Sequence, residues 1–111
     1  MFDDEQRIIV YEFDRFNNAL NFLTKNLNKL EREFNHHVNI AEEIALRFSD
    51  ECVFVAENLK KEKCINDVIY QKIFEIDKLF TELSKEHNSK NWTVDAMDSD
   101  IRWKKIREIA I

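Results

Sequence analysis

The sequence predicts an all-α fold: a helical bundle of three main helices plus a short C-terminal helix, opening with a long, coiled-coil-like N-terminal helix. Three observations carry this expectation. The 111 residues include neither glycine nor proline, where average usage would supply about eight and about five. Without glycine there is no Asn-Gly or Asp-Gly hairpin turn, which removes the usual connections of a β-meander or barrel. Apolar residues recur at helical spacing, and 44% of the chain is hydrophobic, nine Phe and two Trp included, enough to build a core without disulfides. The length suits a single domain over residues 1–111.

The first helix is expected over about 3–34. Ile9, Phe13, Phe16, Leu20, Leu23, Leu27, Leu30 and Phe34 follow one another in alternating steps of four and three, the a/d seam of a helix packed along another at a shallow angle. Such a helix is roughly 48 Å long at 1.5 Å per residue. Asp3, Asp4 and Glu5 sit where the helix dipole favours negative charge. The segment Asn35–Asn39 is the expected break, with Asn39 and Glu42 spaced as a capping box. A second helix over 40–61 would bury Ala41, Ile44, Phe48, Cys52, Val55 and Leu59. The heptad frame also passes His37, Ala41, Ile44 and Phe48 without a phase shift, so an unbroken helix through residue 48 is the alternative.

A third helix over 66–87 is capped by Asn66 and Asp67 and shows the seam Ile69, Ile73, Ile76, Phe80 and Leu83. The polar run His87–Asn91 reads as a turn. The last helix, about 99–110, carries Ile101, Trp103, Ile106, Ile109 and Ala110.

Missing glycine also excludes chemistry: there is no Walker P-loop, GxGxxG turn, GxSxG elbow or glycine-bearing calcium loop. Seventeen Lys and Arg against 22 Asp and Glu give a net charge of −5, which disfavours nucleic acid and anionic membrane as partners. The apolar runs Ile8–Tyr11 and Cys52–Ala56 are far too short to span a bilayer. The first twenty residues open acidic and lack a long apolar core, so no secretory leader is expected. Cys52 and Cys64 form no disulfide framework and suit a reducing compartment, so the expected location is cytoplasmic.

Adjacent His36 and His37 lack the further helically spaced ligands that a metal site needs, and neither a metal nor another cofactor is expected. Arg32 and His37 form an Arg-x4-His pair, which resembles the Arg-x4–6-His element of the all-helical HEPN-type ribonucleases. The resemblance implies an imidazole acting as acid or base and a cation holding phosphate. Against it, Glu33 beside Arg32 would repel a substrate phosphate, and pairing of Arg32 with a neighbouring carboxylate is the preferred reading. Cys52, inside its apolar run, reads as a small buried hydrophobe, and no catalytic residues are assigned. The basic group Arg102, Lys104, Lys105 and Arg107 follows Asp95, Asp98 and Asp100, an order that complements the helix dipole.

The expected partner-binding surface comes from residues that do not fit the seams. Ile8, Tyr11 and Phe22 lie off the a/d line, with Arg15 between them. The last helix, through Trp103 and Ile106, is their expected cover; left uncovered, they and Trp103 would form a patch with the aromatic and arginine character of binding hot spots. The acidic pairs Glu42/Glu43 and Asp50/Glu51 would steer a basic protein partner. The function expected is thus a small acidic protein-binding module: an adaptor, inhibitor or immunity/antitoxin-like protein, not an enzyme. Its alternatives are a coiled-coil scaffold subunit of a homo- or hetero-oligomer, with the first seam as the interface, and a HEPN-like ribonuclease.

Overall fold

The computed structural model describes residues 4–25 and 39–111, which form an all-α bundle with no strand among them. Its helices are α1 (Asp4–Thr24), α2 (Ile40–Phe48), a π-helical segment (Ser49–Val53), α3 (Phe54–Lys61), α4 (Asp67–Lys85), a 3₁₀ turn (Ser89–Trp92), α5 (Val94–Ser99) and α6 (Ile101–Ala110). The α1 seam turns inward as its spacing predicts: Phe16 and Leu23 are buried, while Ile9, Phe13 and Leu20 pack half-buried against them. The seam positions Leu27, Leu30 and Phe34 lie outside the described residues.

Helix boundaries follow the capping chemistry. Asn39 is extended (φ −74°, ψ 107°), so the chain is not helical immediately before α2, and its Oδ1 accepts from the Glu42 amide at 3.0 Å. Asn66 starts α4 in the same way, accepting from the Ile69 amide at 2.9 Å. Beyond α4 the chain is more ordered than a plain turn. Asn88, Thr93 and Asp100 each cap a new short element, accepting from the amides of Lys90, Ala96 and Arg102. Met97 of α5 joins the core.

From Ile40 to Lys61 the helical elements follow one another directly, and the π-helical segment shifts their phase. The Phe54 amide donates to the Ser49 carbonyl five residues back, so this turn holds one residue more than an α-turn. The buried face therefore runs Ala41, Ile44, Phe48, Cys52, Ala56, Leu59, and Val55, expected inside, is only half-buried. Cross-links show that α1 and this strand of helix run antiparallel: Arg47 stands over Phe22, Glu51 pairs with Arg15, and Asn58 Nδ2 donates to Glu12 Oε2 at 3.2 Å.

Trp103 closes the far side of the bundle. It is 2% exposed, and its Nε1 donates to the Asn91 carbonyl at 2.9 Å. Phe80 lies edge-on to its ring at 5.2 Å and Trp92 at 6.0 Å. Asn91, itself buried, donates from Nδ2 to the Leu83 carbonyl at 3.1 Å and to Glu86 Oε1 at 2.8 Å. Above it Arg102 bridges Glu86 (2.5 Å) and Asp100 (3.0 Å). Arg102 holds both carboxyls below their ordinary range, mainly through its side-chain hydrogen bonds.

Two predictions follow from these helix ends. Lys63 closes α3 in a left-handed conformation (φ 62°), with its amide on the Lys60 carbonyl and the Cys64 amide on the Leu59 carbonyl. This is the position that glycine normally takes, and a side chain there costs about 1–2 kcal/mol. Lys63→Gly should therefore stabilise the chain by about 0.5–1 kcal/mol after the entropic cost of glycine in the unfolded state, read as a higher Tm in a thermal melt. The Glu86 and Asp100 carboxyls are depressed in the folded chain, so the stability they contribute is complete above their unfolded pKa values of about 4 and is lost as pH falls below that. Arg102→Ala should accordingly lower the urea midpoint clearly near neutrality, and the gap from the parent chain should close towards about pH 3.

Candidate functional site

Of the residues singled out from the sequence, the flank of α1 that meets the π-helical segment brings together Tyr11, Arg15 and Glu51. α6 packs on the other flank, where Ile109 and Ala110 share an apolar crevice with Phe13, Phe16 and Leu20. Ile8 and Tyr11 are therefore not covered by the last helix as expected; they stay 57% and 60% exposed. Arg15 lies one turn further along, its Cζ 5.4 Å from the Tyr11 ring centroid. Its Nε donates to Glu51 Oε1 at 2.9 Å and its Nη2 donates to the same oxygen. The Glu51 carboxylate, through this hydrogen bond first and its charge second, holds the Arg15 guanidinium charged more firmly than usual.

Phe54 follows the π-helical segment, between Glu51 and Asn58, the two residues that link to Arg15 and Glu12 of α1. Phe54 is 86% exposed. Nothing in the sequence analysis assigns it a role. At the other end Phe22 is half-buried, with Lys25 Nζ 4.6 Å and Arg47 Cζ 5.0 Å from its ring centroid.

Trp103 does not belong to this surface. Its indole N–H needs a partner, finds one in the Asn91 carbonyl, and takes the ring into the core. Nor do the four acids form one patch. Glu43 accepts from Arg47 Nε at 3.2 Å and Glu51 is taken by Arg15, while Glu42 and Asp50 stay exposed. The basic group of α6 is also partly committed: Arg102 bridges Glu86 and Asp100, and Arg107 Nη1 donates to the Met97 carbonyl.

A second concavity, of about 600 Å³, lies on the opposite flank of α2, between α2 and α4. Phe48, Phe80 and Trp92 form its floor; no sequence motif marked it. Among the described residues no group of three or more His, Cys, Asp or Glu is placed to hold a metal ion, and no helix is long and apolar enough to cross a membrane. Arg32, His36 and His37, and with them the HEPN-like pair, lie outside the described residues. No family model matches the chain, and neither a curated protein nor a solved structure shows significant similarity to it.

Cys52 shows how the π-helical segment is tied to α1. Its Sγ contacts the Phe16 carbonyl at 3.5 Å, and burial pushes the thiol well above its ordinary pKa. Cys64 is half-buried at the α3–α4 junction. A thiol reagent applied to the native chain should modify Cys64 alone, and Cys52 only at the rate of global unfolding, as read by peptide mass spectrometry.

Proposed function

We propose that this chain is a small, non-enzymatic protein-binding module, an adaptor, inhibitor or immunity/antitoxin-like protein, that engages its partner through the outer flank of α1 and the π-helical segment. One observation carries the reading: Ile8, Tyr11 and Phe54 are large apolar side chains left exposed, and Tyr11 lies against Arg15 of the Arg15–Glu51 ion pair. Aromatic and arginine side chains held in place concentrate binding energy at protein interfaces. The ion pair also pre-orders Arg15, which lowers the entropy lost when a partner orders it further. The free thiols of Cys52 and Cys64 support a reducing, cytoplasmic setting.

The coiled-coil scaffold reading is the weaker one. Phe16 and Leu23 of the first seam are already buried by helices of the same chain, so this part of the seam is not available to a second subunit.

The double variant Tyr11→Ala, Phe54→Asp should retain the helical circular dichroism spectrum and the mass of the parent in light scattering. It should lose at least about tenfold in affinity, about 1.4 kcal/mol, for the protein that the parent captures from its native lysate. Undiminished capture would remove this surface from the proposal.

A further inference from the structure

α1 carries a second stripe, on the side turned away from the core. Phe16, Ala19 and Leu23 are buried. At 3.6 residues per turn, Arg7, Val10, Tyr11 and Asp14 lie on the opposite side of the helix, and all four are exposed. Val10 and Tyr11, 45% and 60% exposed, form the apolar middle. Arg7 precedes this pair by one turn and Asp14 follows it by one turn, so the stripe reads base, apolar pair, acid. The two charges stand about 10.5 Å apart along the axis, too far to neutralise one another. Among the described residues neither has an ion-pair partner. The neighbouring charges on α1 are already engaged, Arg15 with Glu51 and Glu12 with Asn58.

This order is its own complement. A two-fold axis perpendicular to α1, passing between residues 10 and 11, brings residue 7 of one copy onto residue 14 of the other and residue 10 onto residue 11. Each basic end then faces an acidic end, and Val10 packs on Tyr11 of the second copy at both symmetry-related places. A parallel placement would instead set Arg7 against Arg7 and Asp14 against Asp14, which repel. We propose that this stripe is a homodimer face, on which α1 of a second copy docks antiparallel. It is not the inward seam of α1, whose Phe16 and Leu23 are buried within the chain itself. Charge fixes the direction of docking and the apolar pair supplies the attraction. An overlap of about three turns stays below the roughly 1,200 Å² buried in stable complexes, and exposed ion pairs add little. The dimer is therefore transient, dissociated at micromolar concentration and formed near millimolar. The inference does not rest on the flank surface proposed above: Tyr11 borders both, whereas Arg7 and Asp14 belong to this face alone.

Sedimentation equilibrium of the intact chain from about 20 μM to about 1 mM should show a mass rising from one chain towards two, with a Kd on the order of 0.5 mM. Amide resonances that shift with concentration should map to the exposed side of residues 7–14. Arg7→Glu and Asp14→Arg each set like charges opposite one another and should weaken the dimer at least about tenfold. Mixed in equal amounts, the two variants meet with every charge opposed by its opposite, and the mixture should recover the parent's affinity to within about threefold. The double reversal within one chain should associate as the parent does. Both positions are exposed, so circular dichroism should stay unchanged throughout. A mass of one chain at every concentration, single reversals that associate as tightly as the parent, or a mixture that stays monomeric would overturn the proposal. The lysate capture that tests the flank surface runs at micromolar concentration with Arg7 and Asp14 intact, so each reading can fail without the other.

Discussion

The bundle turns on Asn91. Its backbone carbonyl takes the Trp103 indole, and its side chain is spent on the Leu83 carbonyl and the Glu86 carboxylate. Next to it the Trp92 carbonyl takes the Asn39 side chain. Two consecutive residues thus hold the end of α4, the start of α2 and the centre of α6 at fixed distances. The Trp103 indole and the Asn91 side chain are buried, where a donor left without an acceptor costs about 1–3 kcal/mol; the Asn39 link lies at the surface. The α2–α4 groove exists because this node holds the N-terminal end of α2 against the C-terminal end of α4 while the aromatic floor between them keeps the helices apart.

The π-helical segment has a comparable role on the other side. The extra residue in its turn rotates everything after it, so Cys52 and Ala56 point inward and Phe54 points out. It also sets Glu51 and Cys52 against consecutive residues of α1, Arg15 and Phe16. Wide turns of this kind are uncommon and recur at functional places. Here the turn sets Glu51 against Arg15 and leaves Phe54 exposed, the features on which the proposed α1 surface rests.

How much of this was legible in the sequence depends on the range of the interaction involved. The α1 seam and the asparagine caps at Asn39 and Asn66 act within a few residues of themselves, and their spacing gives them away. Ile8, Tyr11 and Arg15 could be placed off the seam by the same counting, although not their exposure, because which flank α6 would cover is a tertiary matter. Trp103 was misjudged for a related reason. Its partner is a carbonyl in a turn twelve residues earlier, and no helical pattern announces a backbone acceptor. The π-turn has no residue signature at all, so Val55 was expected where Ala56 is buried and Phe54 was overlooked. The groove was invisible because the space between two helices depends on what holds their ends.

Two helices of this chain end in left-handed residues that are not glycine, Lys63 and His87, and no proline punctuates any connection. The economy reaches beyond the folded state. A chain without prolyl bonds has an unfolded ensemble free of slow cis–trans heterogeneity, the commonest source of minute-scale refolding phases. A chain without glycine also begins with less backbone freedom to surrender. A population of such molecules regains its shape without waiting on a prolyl bond.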